Sequence, residues 1–299
     1  MGQSSRLDHR PFLVPPGKKI RLKDFATDYT GPFGGKADGK EALKEDVSAL
    51  AEMQDLLWAS KEYAVIVILQ ALDAAGKDGT IKHVMSGVNP QGVNVYAFRA
   101  PNEEERLRHF LWRPARVLPA YGMIAIFNRS YYEEVLVVRV HPEFLENQWL
   151  PRKLREEDRK HLWQSRYDDI NAFEQALVEK NVCILKFHLH ISREEQRRRF
   201  LARIDDETKN WKFSAADVRE STFWDDYQSA YEDMLNATST EAAPWHVIPA
   251  DKKWFARACV ADIITSRIAG LDLKYPTLSD EQRAALVEAK RELESDQGD

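Results

Sequence analysis

Apolar positions along this chain fall into two patterns. The run Ala64-Val65-Ile66-Val67-Ile68-Leu69 is continuous rather than alternating and rich in β-branched residues. That predicts a strand buried on both faces, as in a parallel sheet. Residues 93–98, 123–127, 182–189 and 245–248 read the same way. Between these runs, apolar residues recur at helical spacing, predicting helices over 102–113, 161–179, 192–205, 223–235 and 252–270. Ahead of the first strand, Asp38 with Glu41 forms a capping-box pattern that predicts a helix start, with Leu43, Val47, Leu50 and Leu57 on its buried face. Ser279 with Gln282 caps a last, highly charged helix.

Strands alternating with helices predict an α/β fold, a sheet of parallel strands between two helical layers. Residues 1–37, rich in Pro, Gly and Lys, read as an irregular N-terminal arm; residues 38–275 read as one domain, and 276–299 as a charged C-terminal helix or tail.

Composition narrows the function. Of the 299 residues, 43% are hydrophobic and 30% charged, as in a soluble globular protein. The 43 Lys+Arg and 48 Asp+Glu give a net charge of −5, which argues against a nucleic-acid-binding surface but allows a local basic channel. Only Cys183 and Cys259 are present, so no disulfide framework is expected; with no signal-peptide pattern, the reading is cytoplasmic. No apolar run approaches the roughly 18 residues of a membrane span, so no membrane partner is expected.

Three segments carry candidate chemistry. The first is the loop after the first strand, Asp73-Ala74-Ala75-Gly76-Lys77-Asp78-Gly79-Thr80. Between a strand and a helix, small residues let backbone N–H groups close around phosphate oxygens, and Lys77 adds positive charge. The strict pattern G-x-x-x-x-G-K-[ST] is not met: Ala71 replaces the first Gly and Asp78 the Ser/Thr. A carboxylate at Asp73 would repel phosphate unless a metal ion sat between them, so Asp73 either binds metal or orients an attacking phosphate.

The second segment is Asn128-Arg129-Ser130-Tyr131-Tyr132-Glu133, at the end of the third strand, where polar groups face the same crevice. Phosphate-loop enzymes place a metal-binding Asp here; this chain has Asn128, with Glu133 available to compensate. The third is basic: Arg197, Arg198, Arg199, Arg203, Lys209 and Lys212 crowd one stretch. Guanidinium groups on a helix beside the sheet fit a lid closing on phosphates. The alternative is a solvated face salted by Glu194, Glu195, Asp205 and Asp206. Lys82, Arg113 and Lys186 are further candidates for a basic channel, and His188 and His190 read as strand-end histidines rather than metal ligands.

Together with Arg199-x-x-x-Arg203, Trp211-Lys212-Phe213-Ser214, Asp217 and Ile248-Pro249-Ala250-Asp251-Lys252-Lys253-Trp254, these segments resemble the polyphosphate kinase 2 family, from about residue 22 to about 275. The resemblance implies a three-layer P-loop kinase fold similar to thymidylate kinases, with five parallel strands and a helical lid over about 192–220. It implies phosphoryl transfer between inorganic polyphosphate and AMP, ADP or ATP, supported by magnesium or, as a substitute, manganese. Asp73 and Glu133 would then serve the metal, and Lys77, Arg129, Arg199 and Arg203 would neutralise charge. Ala74, Ala75, Gly76, Asp78, Gly79, Thr80, Asn128, Ser130 and Tyr132 would surround phosphate or nucleotide, and Lys82, Arg113, Lys186, Lys209 and Lys212 would line the polyphosphate path. The pairing of Asn128 with Glu133 resembles the class III subgroup, associated with phosphorylating both AMP and ADP. Family likeness also suggests a homodimer or tetramer. Two rival readings are an ATP-dependent nucleoside monophosphate kinase and a non-catalytic polyphosphate- or RNA-binding module.

Overall fold

The computed structural model describes residues 7–148, 150, 159–208, 210 and 215–295. Five strands form the sheet: β1 (Ala64–Gln70), β2 (Val93–Ala97), β3 (Ile124–Asn128), β4 (Val182–His190) and β5 (Trp245–Pro249). All pair in parallel in the order β2-β3-β1-β4-β5. The longer helices are α1 (Lys36–Ser60), α2 (Lys77–Val84), α3 (Arg159–Val178), α4 (Arg193–Ile204), α5 (Trp224–Thr238), α6 (Lys253–Ala269) and α7 (Asp280–Ser295).

Alternation along β1 separates two cores. Val65, Val67 and Leu69 pack with Leu50 and Leu57 of α1 and with Val260 and Ile264 of α6. Ala64, Ile66 and Ile68 pack with Ile170 of α3 and with Tyr231 and Met234 of α5. The sheet is thus buried on both faces, which is why its central strands read as unbroken apolar runs. The edge strand β2 differs from expectation: it is only partly covered, with Val95 52% exposed. Residues of the N-terminal segment also enter both cores. Leu7 and Phe12 join the first, Val14 and Leu22 the second, and Val14 N donates to Trp245 O at 2.9 Å.

Two helix expectations change. The span 102–113 is not one helix but two short ones, Glu103–Arg106 and Trp112–Ala115. Helix α1 starts before Asp38, whose carboxylate instead accepts from Gly34 N at 2.9 Å. The Ser279–Gln282 capping box does form. Among the described residues, no helix is long and apolar enough to cross a membrane.

This topology fixes where chemistry can occur. The chain leaves β1 towards β2 and β3 on one side, then returns past β1 to β4 and β5 on the other. The carboxyl ends of β1, β3 and β4 therefore flank a switch-point crevice, the position at which open parallel sheets bind ligands.

Candidate active site

The loop after β1 is held in an uncommon backbone conformation. Ala74 has φ +64°, Gly76 φ +113°, and across the crevice Arg129 has φ +62°. Left-handed conformations at non-glycine residues store strain and cluster at functional sites. Both non-glycine residues have local support. Arg199 Nη1 donates to the carbonyls of Ala74 and Ala75 at 3.0 and 2.7 Å, and Arg129 N donates to Leu69 O at 3.1 Å. The N-terminus of α2, starting at Lys77, points its free N–H groups and partial positive charge into the crevice.

Lys77 is 8% exposed and folds back on its own loop, donating to Ala71 O at 2.6 Å. Burial pulls its pKa below the usual lysine value, opposed mainly by the charge of Asp73. Asp73 faces the opening and accepts from Arg129 Nη2 at 2.9 Å. Arg129 Nη1 lies 3.7 Å from Glu133 Oε2, so one guanidinium bridges two carboxylates. Burial opposes the charge on Arg129, but Glu133 and Asp73 outweigh it and raise its pKa. Burial raises the pKa of Glu133, although Arg129 and Lys77 pull it down. Asn128 donates to Asp78 at 2.8 Å, linking the end of β3 to the first turn of α2.

Two adjoining hollows meet at Asp73 and Arg129. The larger, about 960 Å³, is lined by eight cationic side chains: Lys77, Arg99, Arg129, Arg198, Arg199, Arg203, Lys253 and Arg257. Among the described residues, only Asp73 and Asp78 face them as carboxylates. The smaller, about 120 Å³, is ringed by Leu72, Leu136, Val137, Trp224, Tyr227 and Tyr231, with Asp73, Glu133 and Glu220 as its acids. The larger suits a phosphate chain and the smaller suits a flat, partly apolar group beside a carboxylate. No cluster of three or more metal-ligating residues exists among the described residues. Asp73, one-third exposed with its carboxylate at the junction, fits a magnesium-type ion that takes one or two protein carboxylates and fills its remaining positions with water and substrate phosphate.

A strand, a phosphate loop that departs from the usual pattern, and this basic cleft coincide with a match of the polyphosphate kinase 2 family description to residues 34–275. The chain belongs to the polyphosphate kinase 2 family. It is 45% identical to the ADP-polyphosphate phosphotransferase of Rhodopseudomonas palustris, across 96% of this chain and 99% of that one. It is 44% identical to the AMP/ADP-polyphosphate phosphotransferase of Meiothermus ruber, across 89% and 95%. Its structure matches that of polyphosphate kinase 2 from Arthrobacter aurescens TC1 with a TM-score of 0.82 at 40% identity, covering 92% of this chain and 95% of that one. The P-loop kinase fold and the enzymatic nature read from the sequence both stand.

Against this family frame, the expected residues separate. Asp73, Ala74, Gly76, Lys77, Asp78, Gly79, Asn128, Arg129, Arg199 and Arg203 all line the larger hollow, and Glu133 lines the smaller. Ala75 and Thr80 are buried in the loop and first turn beneath it, and Lys82 points to solvent.

Four expectations need correction. Lys186 is in no channel: it is fully buried, and its Nζ donates to Glu174 Oε2 at 2.6 Å, Thr238 O at 2.7 Å and Tyr132 OH at 2.9 Å. Tyr132 belongs to the same buried network, its hydroxyl 2.8 Å from Glu174, so it supports the turn from beneath and meets no ligand. Arg113 turns away from the cleft, donating to Arg99 O at 2.8 Å and lying 3.3 Å from Glu105. Ser130 is likewise internal, its Oγ accepting from Tyr132 N at 3.2 Å. Lys209 and Lys212 lie outside the described residues.

Arg99, Lys253 and Arg257 were missed. Lys253 and Arg257 stand one helical turn apart at the start of α6, a spacing visible in the sequence that gains meaning only once α6 is known to face the phosphate loop.

Proposed function

We propose that this protein moves phosphoryl groups between inorganic polyphosphate and adenine nucleotides, accepting AMP as well as ADP. The observation that carries the reading is the concentration of eight cationic side chains in one cleft over a phosphate loop, in a chain whose net charge is −5. A polyanion of many phosphates needs such a track; a single nucleotide does not. The names of the relatives from Rhodopseudomonas palustris and Meiothermus ruber support the same donor and acceptors.

In this reading the terminal phosphoryl group of polyphosphate rests over the loop at Lys77. A phosphate oxygen of the nucleotide, entering from the side of Glu133, attacks that phosphorus in line. The new P–O bond forms as the bond to the penultimate phosphate breaks, and the shortened polyphosphate leaves with the bonding pair. The attacking oxygen is already anionic, so the protein's work is alignment and charge neutralisation. Arg129, held between Asp73 and Glu133, meets the transferring group; Arg203, Lys253 and Arg257 hold the donor chain. A divalent cation, magnesium in our reading, would be held by Asp73 and would offset charge on the phosphates. Glu133 then acts on the acceptor side, where its partners are Arg129 and the aromatic recess, and the basic helix α4 borders the donor side of the cleft, anchored through Arg199; part of the lid expected to about residue 220 lies outside the described residues.

The test is to incubate the protein with AMP, magnesium and long-chain polyphosphate without ATP, separating products by chromatography. Formation of both ADP and ATP is expected. ADP alone would remove ADP from the acceptors, and product only when ATP replaces polyphosphate would favour a nucleoside monophosphate kinase.

A further inference from the structure

Beneath the two hollows lies a buried carboxamide. Gln70 is the last residue of β1, the strand that launches the phosphate loop, and it is fully buried. Its neighbours fix which way the amide points. Its oxygen accepts from Ser130 Oγ at 3.0 Å and Ser130 N at 3.1 Å, and its nitrogen donates to Glu133 Oε1 at 2.9 Å. The other oxygen of Glu133 faces Arg129, which in turn holds Asp73. A continuous polar chain therefore runs from the root of the phosphate loop through Glu133 and Arg129 to the mouth of the loop.

We propose that Gln70 is a positioning residue for Glu133, fixing that carboxylate at the junction where the acceptor nucleotide is received. The inference rests on the acceptor-side reading of Glu133 given above.

The physical argument is one of complementarity. A carboxylate with four acceptor sites and flexible torsions has many orientations in an aromatic recess. Pinned by an amide N–H on one oxygen and facing a guanidinium with the other, Glu133 has one. The amide is pinned in turn, because both of its ends are used and it lies within the sheet. A carboxamide accepts from Ser130 and donates to a carboxylate at once while staying neutral at every working pH. A carboxylate at position 70 could accept from Ser130 but would oppose Glu133 with a second negative charge.

The test compares wild type with Gln70→Glu, Glu133→Gln and the double variant carrying both changes, which restores a carboxamide–carboxylate pair in the reverse order. Nucleotide and polyphosphate kinetics are measured separately, with folding checked by thermal melting. Gln70→Glu should lower kcat/KM for the nucleotide about 10- to 100-fold, the range for losing a hydrogen bond to a charged group, while KM for polyphosphate changes less than about twofold. The double variant should be no worse than Glu133→Gln alone. Equal losses for both substrates, or losses that add in the double variant, overturn the proposal. If Glu133→Gln itself leaves nucleotide kinetics unchanged, the acceptor-side reading has failed. If it impairs them while Gln70→Glu does not, only the role of Gln70 fails. Should Gln70→Glu not fold, Gln70→Leu removes the hydrogen bonds at similar volume, and its double variant with Glu133→Gln must again match the Glu133 single variant.

Discussion

At the scale of single residues, Asp73 and Lys77 share a loop but meet different constraints. Lys77 is tethered to the Ala71 carbonyl and is free to exchange that acceptor for a phosphate oxygen; Asp73 stands at the junction of the two hollows. Asp73→Asn keeps the side-chain shape while removing its charge, and Lys77→Ala removes the cation. Each should lower kcat by about 100-fold or more, the scale for deleting one preorganised electrostatic group, with little change in secondary structure by circular dichroism. Glu133 gives a separate stability prediction. Because burial raises its pKa in the folded state, the folded protein holds this proton more tightly than the unfolded chain. Between the ordinary value of 4.5 and the raised folded value, stability therefore falls as pH increases, and above that window the penalty is complete. Glu133→Gln should accordingly raise the melting temperature at pH 8 relative to wild type, by about 2–4 °C for each ~1 kcal/mol relieved. It should bring little gain well below pH 4.5, where both forms are neutral. A gain of equal size at both pH values would show that the buried charge is not the cause.

At the scale of elements, the basic helix α4 contains arginines with different duties. All five N–H groups of Arg199 are used: by Glu195, by the carbonyls of Ala74 and Ala75, and by those of Ala250 and Asp251. It fastens the helix to the phosphate loop and to the chain after β5. Arg203, one turn further on, lines the cleft and is half-exposed. Arg199→Ala should therefore destabilise the fold by about 3–5 kcal/mol in urea unfolding, since it leaves four buried or partly buried carbonyls without their donor, while Glu195 keeps only Arg198. Arg203→Ala should leave stability nearly unchanged and raise KM for polyphosphate. The sequence placed both on one helix but could not separate them, because the carbonyls that Arg199 binds come from segments about 50 and 125 residues away. The same limit explains Lys186. A lysine in a largely apolar strand of the sheet that carries a phosphate loop reads as a channel cation, and only the fold brings Glu174 of α3 against it. By contrast, β1 was legible from its unbroken β-branched run, because burial on both faces is written into every residue of the strand. The helix expected over 102–113 failed locally: Asn102 and Glu105 cap a first short helix, Leu107 is 69% exposed, and Arg108 and Arg116 stack on Trp112.

At the scale of the whole molecule, charge is segregated. The chain is acidic overall, yet among the described residues eight cations converge on one cleft and only two carboxylates face them. Such an arrangement concentrates a polyanion locally while like charge elsewhere discourages nonspecific adsorption. Packing the cations together also has a local consequence. Burial, with the neighbouring charge of Arg199 next in importance, lowers the pKa of both Lys253 and Arg257, so an anion entering the cleft relieves repulsion as well as supplying attraction. Binding governed by many such contacts must weaken steeply with salt. Screening shortens from about 30 Å at 0.01 M to about 10 Å at 0.1 M ionic strength, and each phosphate held by a cation adds to the slope of log affinity against log salt. A mononucleotide, with few charges and part of its contact in the aromatic recess, adds fewer such contacts. KM for long-chain polyphosphate should therefore rise much more steeply with added salt than KM for ADP, and Lys253→Ala with Arg257→Ala should flatten the first slope and leave the second alone. Parallel slopes for the two substrates, unchanged in the double variant, would mean that the cations of α6 do not carry the polyphosphate chain and that its path leaves the cleft on the side of Arg99.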